Sequence, residues 1–388
     1  MKTALVVGGN SGIGLSVSIS LWKKGYEKIY IVGKEAINAQ DVPGSIREAF
    51  MGVVEERVVN LVSEDYSCFD DIKFIDALVI TAGFGRVCPF ESLNEIEISN
   101  LIKCNELSAI QIIKRYYSQI RDRENFYTLV MSSIAGHISS PLFSVYAATK
   151  AALSRFIESV NVELECDGIS NRILDVSAGS IKGTRFNGGE NNVETHLAFA
   201  DVLVEKMLAR ELLFIPEYET VYKGVIERYR TDAQEYGRHS LEYKKLGGRI
   251  NNKPQLTVGY LSGTFDLFHV GHVNLLKRAK QYCDYLIVGV HKDASHKGKE
   301  TFIPYEERVE MLKSCRYVDK VVLSHKEDSE AWKVYKYDRL FVGSDYKGTE
   351  RFLNYERYFA DKGVEILYFP YTQGTSSSKI REKIDKQK

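Results

Sequence analysis

Short runs of valine, isoleucine and leucine recur along the chain, each followed by a stretch whose apolar positions return at helical spacing. The runs lie at Ala4–Val7, Ile29–Val32, Ala77–Thr81 and Thr128–Ser132, and again at Thr257–Leu261, Tyr285–Val290 and Arg339–Val342. Unbroken apolar strands separated by helices predict parallel sheets covered on both faces. The fold class expected is therefore α/β, with two doubly wound parallel-sheet domains. Periodicity breaks near HSLEYKKLGGRINNKPQ, just before a fresh strand. This places a first domain at 1–240, a linker at 241–255 and a second domain at 256–388. Helical spacing through Ala198–Tyr236 assigns that stretch to the first domain.

A length of 388 residues is comfortable for two domains. The 52 basic and 52 acidic side chains leave no basic field, which argues against nucleic acid as a partner. The second half is slightly positive, which suits an anionic ligand. Six scattered cysteines without a CxxC pair read as free thiols in a reducing compartment, not as a disulfide frame or a zinc site. No apolar run has the length of a membrane span, and MKTALVVGGNSG is interrupted too early to be a signal peptide. A cytoplasmic enzyme acting on small molecules is expected.

Candidate chemistry in the first half begins at GGNSGIG, between a strand and an apolar-striped helix. Gly8, Gly12 and Gly14, with Asn10, Ser11 and Ile13 between them, would let a pyrophosphate approach backbone amides at a helix N-terminus. By itself the pattern also suits a ligand-free glycine-rich turn. Downstream stand TAG with Ala82 and Gly83, Asn105 within a helix, SSIAG with Ser133, and YAATK with Tyr146 and Lys150. Tyrosine and lysine four apart share one helix face, so the ammonium would lower the phenol's pKa by proximity. Ser133 could hydrogen-bond the same carbonyl oxygen, with the phenol delivering a proton while a cofactor delivers hydride. Alone, YxxxK is usually a surface pair; the ordered set is what carries the signal.

With these segments in this order, residues 1–235 resemble the short-chain dehydrogenase/reductase family. The resemblance implies a Rossmann domain whose catalytic group is Asn105, Ser133, Tyr146 and Lys150. It further implies that Asn60 lies near the adenine and that Gly179, Ile181 and Thr184 flank the nicotinamide. Two segments depart from the family: SAGSIKGT lacks its proline, and TAG stands where Asn-Asn-Ala-Gly is common. Lys34 follows Gly33 where an aspartate would bind an adenosine ribose, so NADP is favoured over NAD, with a merely solvated Lys34 as the alternative.

In the second half, strand Thr257–Leu261 leads into SGTFDLFHVGHVNLLKRAK. His269 and His272 sit three apart at a helix start, on one side of it. Two imidazole donors at a positive helix end could stabilise the charge on a phosphorus under in-line attack. A zinc site with Asp266, or a pair of structural histidines, are the alternatives; no third strong ligand is evident nearby.

The series GTFDLFHVGH, KGK, ERVEMLKSCRYVDKVV, FVGSDYKGTERF and TQGTSSSKIR resembles the glycerol-3-phosphate cytidylyltransferases over residues 256–386. The resemblance implies that His269 and His272 stabilise the α-phosphoryl transition state, beside Gly263, Thr264, Phe265 and Asp266. It gives Lys297, Lys299 and Arg316 to phosphates. Gly343, Asp345 and the loop carrying Thr372, Ser376 and Ser377 would hold cytidine and triphosphate. Mg²⁺ is expected on CTP, without a dedicated protein metal site. Tyr371, Gln373 and Ser344 replace the family's usual arginine, glutamate and aspartate. Together the two resemblances predict a bifunctional enzyme: NAD(P)H-dependent reduction of a small keto compound or its phosphate, and cytidylyl transfer to a polyol phosphate. The product would be CDP-glycerol, CDP-ribitol or a close relative, for teichoic-acid-like or capsular polymers. The alternatives are a chain in which one domain serves only binding or dimerisation, and an adenylyltransferase. A homodimer is expected from both families.

Overall fold

In the first sheet, β1 (Lys2–Val7) lies between β2 (Tyr26–Gly33) and β4 (Ala77–Ile80). With β3 (Val54–Val58), β5 (Tyr127–Met131), β6 (Ile173–Val176) and β7 (Leu213–Phe214), all parallel, the order is β3-β2-β1-β4-β5-β6-β7. The computed structural model describes residues 1–184, 186, 191–251, 256–293, 300–370 and 380, and the chain divides into two units, Met1–Gln255 and Leu256–Lys388. In β1, Ala4 and Val6 face one core while Leu5 and Val7 face another, and all four are wholly buried. Both faces are covered by helices, which is why the strand is apolar at every position and not at every second one. The chain leaves β1 in opposite directions along the sheet, so a crevice opens at the C-terminal ends of β1 and β4.

The stretch read as one helical run, Ala198–Tyr236, is broken up. A helix at Leu197–Leu208 gives way to the two-residue β7, and helices follow at Lys223–Thr231 and Ala233–Leu246. Asp232 splits the last two: its backbone is extended, and its carboxylate accepts from the Gln234 and Glu235 amides at 2.9 and 2.8 Å. This is an N-cap inside an otherwise periodic stretch. The final helix runs to Leu246, so the segment 241–255 begins in helix.

The second unit repeats the plan on a smaller scale. Its strands β8 (Val258–Gly263), β9 (Tyr285–Val290), β10 (Lys320–Leu323), β11 (Arg339–Gly343) and β12 (Glu365–Phe369) are parallel in the order β10-β9-β8-β11-β12. Here β8 occupies the reversal point that β1 holds in the first sheet. All six cysteines are free. Among the described residues, no helix is long and apolar enough to cross a membrane.

Candidate active sites

The turn after β1 is built around missing side chains. A Cβ on Gly8 would lie 2.5 Å from the Ala82 nitrogen, and one on Gly14 would run into the Gly8 carbonyl. Gly8 and Gly12 have φ of 87° and 52°, in the left-handed region that glycine tolerates. A Cβ on Gly33 would run into the Asn10 side chain, which fixes the turn to the end of β2, and Ser11 is the residue before the helix Gly12–Lys23. Ile13 is buried. The Gly12 amide donates to Asn191 Oδ1 at 2.7 Å, so an oxygen already stands before the first amide of the helix. Such a cradle fits a phosphate oxygen of a dinucleotide. Thr184 packs 3.7 Å from the same Cβ position and donates to the Ile181 carbonyl at 3.1 Å, which brings the segment after β6 to the glycine turn.

Asn105 sits in a widened turn, Lys103–Leu107, where the helical ladder shifts to five-residue spacing. Wholly buried, it accepts from the Phe84 amide at 2.9 Å and donates to the Phe84 carbonyl at 2.8 Å and to Thr149 Oγ1 at 3.3 Å. It therefore ties the loop after β4 to the helix Ser144–Cys166 that carries Tyr146 and Lys150. Gly83 lies against both: a Cβ there would be 3.2 Å from Asn105 Oδ1 and 3.3 Å from Lys150 Nζ.

Burial pushes the Tyr146 phenol up to about 12, and a hydrogen bond from the Ser133 side opposes that rise. Burial, and not the expected ammonium effect, is what governs the phenol. Lys150 Nζ donates to the Met131 carbonyl at 2.9 Å and lies 5.8 Å from the tyrosine ring. Burial brings the Lys150 ammonium down to about 8. Phe143 stacks on Tyr146 at 4.1 Å and Phe186 lies 5.4 Å from it, an aromatic cover that the sequence did not single out. Gly179 is also tightly met: a Cβ there would collide with the Tyr222 hydroxyl. Asn60 is buried and caps the turn Leu61–Ser63, accepting from the Val62 amide at 3.3 Å, while Lys34 is exposed just past β2.

In the second unit, His269 caps the helix Val270–Gln281. Its Nδ1 accepts the Gly271 amide at 3.0 Å, which leaves the neutral ring's proton on Nε2, and burial lowers its pKa. The His272 ring stacks on it at 4.1 Å and is backed by Phe268 and Phe265 at 5.5 and 5.3 Å. The loop leading there is strained: Phe265 and Leu267 have φ of 52° and 50°. Asp266, between them, accepts from the Phe302 amide at 3.1 Å and the Ile303 amide at 2.9 Å. Its carboxylate thus anchors a neighbouring loop, a use that competes with the metal-ligand alternative.

Arg308, absent from the sequence-based site, is the largest wholly buried side chain among the described residues. It donates to the carbonyls of Thr264, His291 (2.9 Å), Lys292 (2.7 Å) and Ile303 (2.9 Å), so one guanidinium joins three loops, among them the one that leads to His269. The charged residue inside an ERVEML helix was the available signal. Gly263 lies against the Phe265 ring, 2.9 Å from a Cβ built there. Gly343 ends β11, where a Cβ would run into the exposed Asp345 carboxylate, and Arg316 is exposed beside Tyr317. Lys297, Lys299, Thr372, Ser376 and Ser377, with Tyr371 and Gln373, lie outside the described residues. Among the described residues, no group of three or more metal-ligating side chains is found.

Comparison with known proteins matches residues 2–194 to the short chain dehydrogenase family and residues 260–383 to the cytidylyltransferase-like family. The glycerol-3-phosphate cytidylyltransferase of Bacillus subtilis is 36% identical over 126 residues, covering 31% of this chain and 92% of that protein. The chain belongs to the cytidylyltransferase family through its second unit. The Staphylococcus aureus glycerol-3-phosphate cytidylyltransferase is 38% identical over 128 residues, covering 31% of this chain and 90% of that protein. The first unit is a short-chain dehydrogenase in fold. A solved structure of a 7beta-hydroxysteroid dehydrogenase, 17% identical, matches it with a TM-score of 0.50, covering 62% of this chain and 96% of that one. This cytidylyltransferase is thus fused to an oxidoreductase unit, whose fold implies NAD(P), while the transferase unit implies CTP.

Proposed function

We propose that the chain makes a CDP-polyol, reducing a small ketone in one unit and transferring a cytidylyl group in the other. The observation that carries the transfer reaction is the stacked pair His269 and His272 at the start of a helix, behind a strained loop held by Asp266 and Arg308. A phosphate oxygen of the polyol phosphate attacks the α-phosphorus of CTP, and the bond to the bridging oxygen breaks to release pyrophosphate. The two imidazoles and the helix end stabilise the charge that builds on the α-phosphoryl oxygens. Mg²⁺ travels with the triphosphate. Glycerol phosphate is the first acceptor to try, because the relatives that span this unit are named for it.

In the reductase unit, the nicotinamide cofactor supplies hydride when bound, and the exposed Lys34 past β2 favours NADPH. Tyr146 gives its phenolic proton to the carbonyl oxygen as the alkoxide forms, and Ser133 shares that oxygen. Asn105 holds the strand-end loop and the tyrosine helix in register. Free thiols and nucleotide substrates fit a cytoplasmic enzyme.

The test uses the purified full chain with CTP, Mg²⁺ and either glycerol 3-phosphate or ribitol 5-phosphate. Pyrophosphate release and a CDP-polyol mass are expected; no release from any small polyol phosphate would defeat the transferase reading.

A further inference from the structure

The reductase unit continues well past the part that matches its family, which ends at residue 194. The segment after residue 194 reaches the neighbourhood of Tyr146 and Gly179 at two places. The helix Ala233–Leu246 packs Gly237 against Ser139, with 3.4 Å from a Cβ built there to the serine Oγ. In the last turn of that helix, Lys244 Nζ donates to Ser140 Oγ at 2.7 Å and to the Pro141 carbonyl at 2.8 Å. The Ser140 carbonyl in turn accepts the Phe143 amide at 3.0 Å, and Phe143 is the ring stacked on Tyr146. On the other side, Tyr222 reaches Gly179, in the segment after β6. Arg249 lies 5.0 Å over the Tyr243 ring, donates to its hydroxyl at 3.0 Å, and is close enough to Tyr222 to oppose the rise of that phenol's pKa.

Two cations therefore stand against the segments that carry Phe143 and meet Gly179, and among the described residues neither is paired with a carboxylate. Lys244 is half-buried, and burial followed by the nearby Arg249 charge brings its ammonium down to about 8. If the side chain served only to staple the loop, a neutral donor would bridge a hydroxyl and a carbonyl without the cost of desolvating a charge. An ammonium has three donors, and the loop takes two of them.

We propose that Lys244 and Arg249 form an anion subsite of the reductase, which holds a phosphoryl group on the ketone while its carbonyl lies at Tyr146. The inference rests on the reductase reading above and assigns its substrate class: a phosphorylated ketone. The phosphoryl group has two chemical sources, a ketose phosphate or the cytidine diphosphate ester of the ketose, and these correspond to reduction before or after cytidylyl transfer.

The test compares dihydroxyacetone, dihydroxyacetone phosphate and its cytidine diphosphate ester as substrates of the full chain with NADPH. In the native chain one phosphorylated ketone is preferred over dihydroxyacetone, and which one it is gives the source. In Lys244→Met with Arg249→Ala the ratio of kcat/KM between them falls about 100-fold, as expected for losing two charge-assisted contacts, and the single substitution Lys244→Arg, with Arg249 kept, retains most of it. A purely structural staple would lower activity on all three ketones together and leave the ratio intact, which overturns the proposal. Binding of inorganic phosphate, followed by calorimetry with NADP⁺ present, reads the subsite without turnover. The transferase unit contributes equally in both proteins, so equal phosphate binding by native chain and double variant also overturns it. If no ketone is reduced by the native chain, the reductase reading fails, while the phosphate titration still decides whether the subsite exists.

Discussion

Asn191 Oδ1 accepts the Gly12 amide at 2.7 Å, across 179 residues of sequence, and its own amide group donates to Asp41 at 2.5 Å. If the Gly12 amide serves a phosphate oxygen of the dinucleotide, this carboxamide oxygen competes with it for the same donor. Asn191→Ala removes this competitor. The Kd for NADPH is expected to fall about fivefold, the worth of one net hydrogen bond of about 1 kcal/mol. Titration of NADPH fluorescence checks it; an unchanged or weaker Kd would mean that Asn191 remains in place or assists the cofactor.

Tyr146 and the histidine pair lie in different units, so their losses are expected to separate. Tyr146→Phe should lower ketone reduction about 10²- to 10⁴-fold, the range for removing a general acid, and leave pyrophosphate release from CTP unaltered. His272→Ala should lower cytidylyl transfer about 10²- to 10³-fold, as for an oxyanion donor, and leave NADPH oxidation unaltered. Parallel assays of both reactions on both variants decide it. A domain kept only for binding would have no activity to lose.

The pH response of the reductase follows from two opposite shifts. With the Tyr146 phenol pushed up to about 12, the acid needed for reduction stays protonated through the neutral range. Alcohol oxidation, which needs the phenolate, is expected to climb with rising pH. Lys150 shifts the other way, down to about 8 from an ordinary value of 10.5. Below about pH 8 both folded and unfolded chains carry its proton, and the full burial penalty is present. Between about 8 and 10.5 the unfolded chain binds more protons, so stability rises with pH across that window. Lys150→Met is expected to raise the neutral-pH melting temperature of the reductase unit and to flatten this rise, while reduction is lost. A melting temperature that falls in the variant would show that the Met131 contact outweighs the buried charge.

The β1–turn–helix unit, the Tyr146 helix and the His269–His272 pair were legible because each is carried by residues close in sequence, where spacing translates into geometry. Fold class was legible for the same reason: strands covered on both faces are apolar throughout. What escaped is long-range. Asn191 reaching Gly12, Lys244 reaching Ser140 and Arg308 joining three loops have no local pattern, since a polar residue in a loop or on a helix reads equally well as solvated. Asp266 was placed among the reacting groups by resemblance, and the structure adds that its carboxylate is engaged by two backbone amides. The ammonium near Tyr146 follows from four-residue spacing alone, which cannot tell that it donates to the Met131 carbonyl.

Arg308 carries the last prediction. It is wholly buried, no carboxylate pairs with it among the described residues, and its charge is met by backbone carbonyls from Thr264, His291, Lys292 and Ile303. Burial lowers its pKa, with Asp266 the largest opposing influence. Arg308→Met would leave these carbonyls buried without donors and release the loop on which Phe265 and Leu267 are held at positive φ. The transferase unit is expected to lose several kcal/mol, at about 1–3 kcal/mol for each buried carbonyl left unsatisfied, offset in part by the desolvation of a charge that no longer has to be met. Arg308→Lys, a point charge with three donors in place of a planar fork with five, should recover only part of that loss. Its transfer activity should drop through kcat, because His269 and His272 stand at the end of the loop that the guanidinium fixes. Thermal unfolding of both variants, with CTP turnover by Arg308→Lys at a temperature where it stays folded, separates the two effects. A lysine variant as stable and as active as the native chain would show that the loop holds its strained shape without the fork.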